Sequence, residues 1–259
     1  MPGVLTRCSE TERSRRRRGL LAAITGLASL TFGAAVVASP AVTTIEMPAS
    51  AVQHAERGRQ VQVVKPPPAA AARYRVTVVQ EWSPQTHPST LPPNWHTSPA
   101  VLAAHGRVGD MFAAGGQASP GIESMAETGG TSQLRAELSS NPTVADVATG
   151  RRIDGVGSAA LEVTATTTAS MLSLTTMLAP SPDWFVGLSS VELLRDGAWT
   201  GRIVLDLANY DAGTDSGATF TSANADTQPR QPVAGPRDAT FAAAAAEGRF
   251  GYVVIERIG

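Results

Sequence analysis

Apolar and polar residues alternate with period two along much of the C-terminal three-quarters of this chain. Tyr74 to Trp82 reads Y-R-V-T-V-V-Q-E-W, rich in β-branched and aromatic residues. Ala160 to Thr166 alternates throughout, and 171–178, 185–194, 200–207 and 251–258 share the same composition. Such runs predict strands, because successive side chains point to opposite faces of a sheet. No long amphipathic helix lies between them, so an antiparallel, all-β sandwich is expected in place of a parallel α/β fold. One short helix is predicted over 132–140, capped by Thr131 and ended by Pro142. A second short turn is expected in 121–127. The stretch from Ser83 to Gly116 is rich in Pro, His, Trp and Gly and predicts no regular element. A loop of that length is ordered by its own packing or carries function. The alanine run 242–246 fits a helical turn or a mobile loop equally.

The first seventy residues have a different texture. Arg13 and Arg15–Arg18 form a basic segment, Leu20 to Ala38 an apolar one, and Val36-Val37-Ala38 a small-residue cleavage site. This is the pattern of a secretory signal over 1–38. The apolar run is also long enough to stay as a membrane anchor, and Arg17-Arg18 loosely fits a twin-arginine signal. Cleavage is expected, because a proline-rich segment follows directly. Residues 39–72, with Pro66-Pro67-Pro68 and an alanine run, read as a semi-rigid linker. The folded unit is then 73–259.

Composition narrows the chemistry. Cys8 is the single cysteine of the 259 residues and lies in the signal segment, so the mature chain is expected without thiol or disulfide. Removing 1–38 takes six arginines and two glutamates from a chain of net charge −1, leaving −5. A mildly acidic exported protein carries no electrostatic footprint for nucleic acid. No membrane attachment is expected after cleavage. The location is extracytoplasmic: periplasm, cell surface or medium.

The candidate chemistry sits in Asp211-Ala212-Gly213-Thr214-Asp215-Ser216-Gly217. Its D-S-G tail is the tag of an aspartic-protease half-site. That chemistry needs two aspartates sharing a proton. Only one such tag is present, and no apolar strand leads directly into it. There is no Gly-x-Ser-x-Gly elbow. His87, His96 and His105 have no zinc spacing. A metal reading fits better. Asp211 and Asp215 are hard oxygen donors on a glycine-rich loop, and calcium takes six to eight oxygens from carboxylates and carbonyls. Asp183, fixed by Pro182, supplies a third carboxylate from a loop between two predicted strands. From spacing alone, aspartates that merely close Asx turns explain the pattern equally well.

The order of segments resembles the spondin domain family. The residues are Trp82-Ser83-x-x-Thr86-His87-Pro88, His105-Gly106, Ala118-Ser119-x-Gly121 with Ala126-Glu127-x-Gly129, and Leu174-Thr175-x-Met177-x-x-Pro180-Ser181-Pro182-Asp183-Trp184. Asp211 to Gly217 and the terminal Val253 to Ile258 complete the pattern. The resemblance implies an antiparallel sandwich similar to C2 domains, with one or two short helices in loops. It implies one calcium ion, mainly structural, held by Asp183, Asp211 and Asp215. Known members serve in extracellular matrix and adhesion without established catalysis. Cysteines that the animal domain carries between the aspartate motifs are absent from 190–199, and Tyr210 stands where a tryptophan is usual. The expectation is an exported, calcium-binding, non-enzymatic module for surface recognition or envelope structure. Its partner would be an unidentified extracellular protein or polysaccharide. The alternative is a secreted carboxylate-dependent hydrolase. Ser216-Gly217 is read as the turn into a strand from Ala218.

Overall fold

The computed structural model describes residues 67–259. The expected signal segment, Cys8, His54 and the linker up to residue 66 lie outside the described residues. In chain order the elements are β1 (Ala71–Gln80), β2 (His96–Thr97), β3 (Val101–His105), α1 (Pro120–Thr128) and α2 (Ser132–Ser140). Next come β4 (Val144–Thr149), β5 (Ile153–Asp154), β6 (Gly157–Thr166), β7 (Met171–Ala179) and β8 (Trp184–Glu192). The series ends with β9 (Leu194–Arg195), β10 (Ala198–Trp199), β11 (Arg202–Asp206), β12 (Ala208–Asp211), α3 (Ala239–Glu247) and β13 (Gly251–Arg257).

One sheet has the order β11-β13-β1-β6, every pair antiparallel. Its strands are the ones whose alternation is clean in sequence. Tyr74, Val76 and Val78 of β1 point inward, and Val163 and Leu161 of β6 stand opposite Tyr74 and Val76. Outward-facing Arg73 and Arg75 both pair with Glu162. Pairs this exposed contribute little to stability. β1 begins at Ala71, and Ala69 already accepts a bond from the Trp199 indole at 2.8 Å, so the expected boundary at residue 72 falls inside a strand.

The second sheet runs β12-β8-β7-β2-β5, and β3 pairs with β7 and with β4. It is covered on both sides. Leu172, Leu174 and Leu178 of β7 face the first sheet, whereas Met177 and Ala179 pack with Ile122, Met125, Leu134 and Leu138 of α1 and α2. β3 divides likewise, Leu102 and Ala104 to one core and Val101 and Ala103 to the other. A strand buried on both faces has no polar side to alternate with. That is why β3 shows no strand pattern in the segment expected to lack regular structure; β2, in the same segment, is only two residues long.

β4 was not anticipated. The expected turn at 121–127 is the helix α1, which Ser119 caps by accepting from the Ile122 amide at 3.2 Å and which Gly129 closes at φ 70°. α2 has the predicted span, but Thr131 makes no side-chain cap bond. The alanine run lies in α3, so among the described residues there are three helices where one or two were expected. No helix among the described residues is long and apolar enough to cross a membrane.

An aromatic cluster fills one end of the sandwich. Trp184 at the start of β8 stacks on Phe241 of α3, with centroids 4.7 Å apart, and meets Phe220 edge-on at 4.9 Å. Trp82 contacts Phe220 and Phe250, and His87 stacks on Phe250 at 4.7 Å. Three segments distant in sequence are thereby pinned around Trp184. Offset and edge-to-face ring pairs add about 0.5–1.5 kcal/mol each beyond the area they bury.

Two consequences are measurable. Gly187 of β8 lies against β7 so closely that a Cβ would stand 2.3 Å from the Leu174 carbonyl oxygen. Gly187→Ala should destabilise by about 2–3 kcal/mol, a fall in Tm of roughly 5–10 °C for a domain this size. A calorimetric Tm unchanged by the substitution would contradict this packing. Burial also pushes the His87 and His105 imidazoles below their ordinary 6.5, against the opposing pull of Glu247 and of Asp110 and Glu192 respectively. An imidazole held neutral in the fold binds its proton more readily when unfolded. Stability is therefore full above 6.5 and lost as pH falls towards the folded values. Denaturant unfolding between pH 7.5 and 5.5 should lose stability more steeply in the parent than in His105→Gln. The comparison is made as a difference because buried carboxylates titrate with the opposite sign. Parallel profiles would refute it.

Candidate metal centre

β8 and β12 bring the aspartate loops together. Asp211 pairs with Trp184 in register, and the Ala212 amide donates to the Asp183 carbonyl at 3.2 Å. The two segments are thus neighbours through the sheet, although 28 residues separate Asp183 from Asp211. Trp184 buries its ring in the aromatic cluster, which holds Asp183 at the sheet end with no solvent exposure.

Asp183 locks the second loop by hydrogen bonds. Its Oδ2 accepts from the Thr214 amide at 2.8 Å, the Asp215 amide at 3.1 Å and the Thr214 hydroxyl at 3.3 Å. Its Oδ1 is buried and has no hydrogen-bond partner. Leaving such an atom unmatched costs about 1–3 kcal/mol, more for a charged group. Asp211 and Asp215 both close Asx turns. Asp211 Oδ1 accepts from the Gly213 amide at 2.9 Å, and Asp215 Oδ1 from the Gly217 amide at 2.7 Å. Asp215 Oδ2 also takes the Ala225 amide at 3.2 Å.

Gly213 has φ 74°, and a Cβ there would stand 2.3 Å from the Gln231 carbonyl oxygen. The loop return therefore requires glycine. At Gly217 a Cβ would meet the Pro182 ring and the Ser222 side chain, both at 2.8 Å. Residues 217–225 contain no strand, so the strand expected from Ala218 is absent; Ser216 instead bridges to Ala225 by amide and hydroxyl. Phe220, two turns on, returns the chain to Trp184.

Electrostatics oppose this arrangement unless positive charge is near. Burial, then the Asp183 charge, raises Asp211 to about 6, although the Arg237 guanidinium and the Gly213 amide pull the other way. Burial also raises Asp183, and Asp215 adds to the effect. Glu127 at the end of α1 is raised by burial and by the charges of Glu123 and Asp215. Arg237 pairs directly with Asp211 and bonds to the Pro232 carbonyl. Arg230 bridges Glu123, Asp226 and the Thr214 carbonyl. Arg230 and Arg237 carry no signal in sequence, since each reaches the loop from a segment that the fold alone places there; Glu127 stands in the Ala126-Glu127-x-Gly129 motif, but nothing in that motif points to the aspartate loop. Among the described residues, no three acidic or imidazole side chains have their ligand atoms gathered at metal-binding spacing. The three aspartates meet through the loop backbone.

The protease and zinc alternatives find no support in this geometry. The oxygens of Asp215 are engaged by backbone amides. His87 and His105 are buried, and the Nδ1 of His105 donates to the Arg107 carbonyl while its Nε2 accepts from the Ser173 hydroxyl.

A family model described as Spondin_N matches residues 72–243. Spondin-1 of Gallus gallus is 33% identical over 172 residues, which is 62% of this chain and 21% of the relative. Spondin-2 of Rattus norvegicus is 35% identical over 172 residues, or 62% and 52%. Spondin-2 of Homo sapiens is 34% identical over 174 residues, or 63% and 52%. The chain spans about a fifth of the length of the Spondin-1 relatives and about half that of Spondin-2. The match runs from the start of β1 into α3 and includes all three aspartates, and on it the chain belongs to the Spondin_N family.

Proposed function

We propose that this chain is an exported β-sandwich module that binds one calcium ion at Asp183, Asp211 and Asp215. Its role would be surface recognition or envelope structure, without catalysis. The observation that carries the reading is the buried, unpartnered Oδ1 of Asp183 beside two further carboxylates. A divalent cation would satisfy that oxygen and offset the burial, and after it the mutual repulsion, that raise Asp183 and Asp211.

The donor set suits a hard ion. Asp183 offers Oδ1, and Asp211 and Asp215 keep unused lone pairs beyond their Asx-turn bonds. Backbone carbonyls of a glycine-shaped loop can complete a calcium shell. Soft metals are disfavoured, because no thiol or free imidazole stands nearby. The ion's part is structural: it would tie the 183 and 211–217 loops at one end of the sandwich. Arg237 supplies part of the countercharge on Asp211 and would share that carboxylate with the ion. Extracellular placement rests on the family and on the signal-like N-terminal sequence. The ligand recognised is taken to be an extracellular protein or polysaccharide.

Calcium linkage tests the reading. At an ion concentration about 100 times Kd, binding adds roughly 2.7 kcal/mol. Tm should therefore rise by about 5–10 °C over the chelated protein. Asp183→Asn should melt at one temperature with calcium or with chelator, while its folded spectrum is kept. A parent whose Tm ignores both additions, or an Asp183→Asn protein that still responds to calcium, would end the proposal.

A further inference from the structure

A partly enclosed cleft of about 540 Å³ opens between the 109–117 loop and the helix pair α1–α2. None of the three aspartates lines it, and it plays no part in the calcium reading. Its apolar wall comes from Met111, Phe112, Leu134 and Leu138. Its charged groups are two carboxylates, Asp110 and Glu137, beside the polar Gln117, Ser119 and Asn141, and among the described residues no lysine or arginine lines it.

Both carboxylates are held in place, and among the described residues neither is paired with a lysine or arginine. Asp110 has a side chain 9% exposed. Its Oδ2 accepts from the Arg107 amide at 2.9 Å and the Thr143 hydroxyl at 2.8 Å, and its Oδ1 from the Asn141 amide group at 3.2 Å. These bonds hold its carboxyl below the usual range despite burial. The charged form is thus maintained, and Oδ1 retains one free lone pair. His105 lies 3.6 Å away but is itself held neutral by burial. Glu137 reaches from α2 onto the first turn of α1, accepting from the Gly121 amide at 2.7 Å and the Ser119 hydroxyl at 2.6 Å. A Cβ at Gly121 would collide with that carboxylate at 2.5 Å, so the glycine makes room for it. Each Glu137 oxygen keeps a lone pair. Among the described residues, no ion pair joins either carboxylate to a lysine or arginine. Val108, one residue before the lining Gly109, is 74% exposed, an apolar side chain left bare beside the cleft sequence.

Two fixed negative charges over an apolar wall complement a cation carried on an aliphatic stem. We propose that this cleft receives a lysine or arginine side chain presented by a partner protein. The stem packs on Leu134, Leu138 and Phe112, and the charged head takes the free lone pairs of Asp110 and Glu137. Such long side chains bury their methylenes while the head meets a carboxylate.

Amide NMR titration of the parent domain tests this with three probes: Nα-acetyl-arginine N-methylamide, Nα-acetyl-lysine N-methylamide and the neutral Nα-acetyl-norleucine N-methylamide. The basic probes should give saturable shifts confined to amides of 109–121 and 134–141. The norleucine probe should bind about tenfold more weakly, a factor worth 1.4 kcal/mol. Glu137→Gln keeps its oxygen on the Gly121 amide and turns its NH2 to donate to the Ser119 hydroxyl, and should weaken the basic probes severalfold, whereas Asp154→Asn on an exposed turn should not. Raising salt should weaken the parent's binding without any substitution. Equal binding of norleucine would leave an apolar cleft only and overturn the charge assignment. Absence of saturable shifts would overturn the site. Putrescine binding well above both amides would replace the partner side chain with a free polyamine.

Discussion

A carboxylate without solvent exposure has to be matched by donors or by a cation, and Asp183 sets this condition for the whole sheet end. Its Oδ2 gathers two amides and a hydroxyl from the 214–215 turn, which fixes where the loop runs. The loop can follow that path only because Gly213 takes a left-handed conformation against Gln231. Trp184 keeps the carboxylate buried by sitting between Phe241 and Phe220. Removing the ring contacts would admit water to Asp183. Removing Asp183 would free the loop. Sheet pairing, aromatic packing and loop path are therefore one mechanical unit, with an unmatched charge at its centre.

The same condition explains the cations that gather there. Buried negative charges cost several kcal/mol unless countered, and Arg237 and Arg230 arrive from a segment without regular structure to counter part of it. Their supply is incomplete, since Asp211 remains raised to about 6. The residual strain is electrostatic and local. It is the kind that a bound divalent ion relieves and that a neutral ligand would leave in place.

How much of this was readable in the chain follows from which faces are buried. β1 and β6 alternate because one face meets solvent, so both were legible. β3 reads V-L-A-A-H and is buried on both faces, so it offers no alternation, and a proline- and tryptophan-rich neighbourhood hides it further. β4 has mostly half-buried residues and no clean period. The three aspartates were legible through glycine and proline, which mark sharp loops. Arg237 and Arg230 were not, because the segment before α3 reaches the loop only after the chain has folded, and Glu127, though part of a quoted motif, meets the loop for the same reason. The two Asx turns show why spacing alone left metal site and turn open: both aspartates do close turns, and spacing cannot say what else their carboxylates meet.

Two regions of the domain thus hold negative charge in different ways. At Asp183, Asp211 and Asp215 the carboxylates sit on adjoining loops, burial raises Asp183 and Asp211, and Arg237 partly counters Asp211. At Asp110 and Glu137 they are separated, individually bonded and, among the described residues, unpaired with a lysine or arginine. Adjoining loops in the first case favour a small multivalent ion, which can touch several oxygens at once. Separation over an apolar wall in the second favours a longer, singly charged group. Helices packed on the outer face of a sandwich bear on both: α1 carries Glu127 to the aspartate loop and offers its first turn to Glu137. Covering the second sheet with helices removed its polar face from the sequence pattern and, in the same step, formed one wall of the cleft at Asp110 and Glu137.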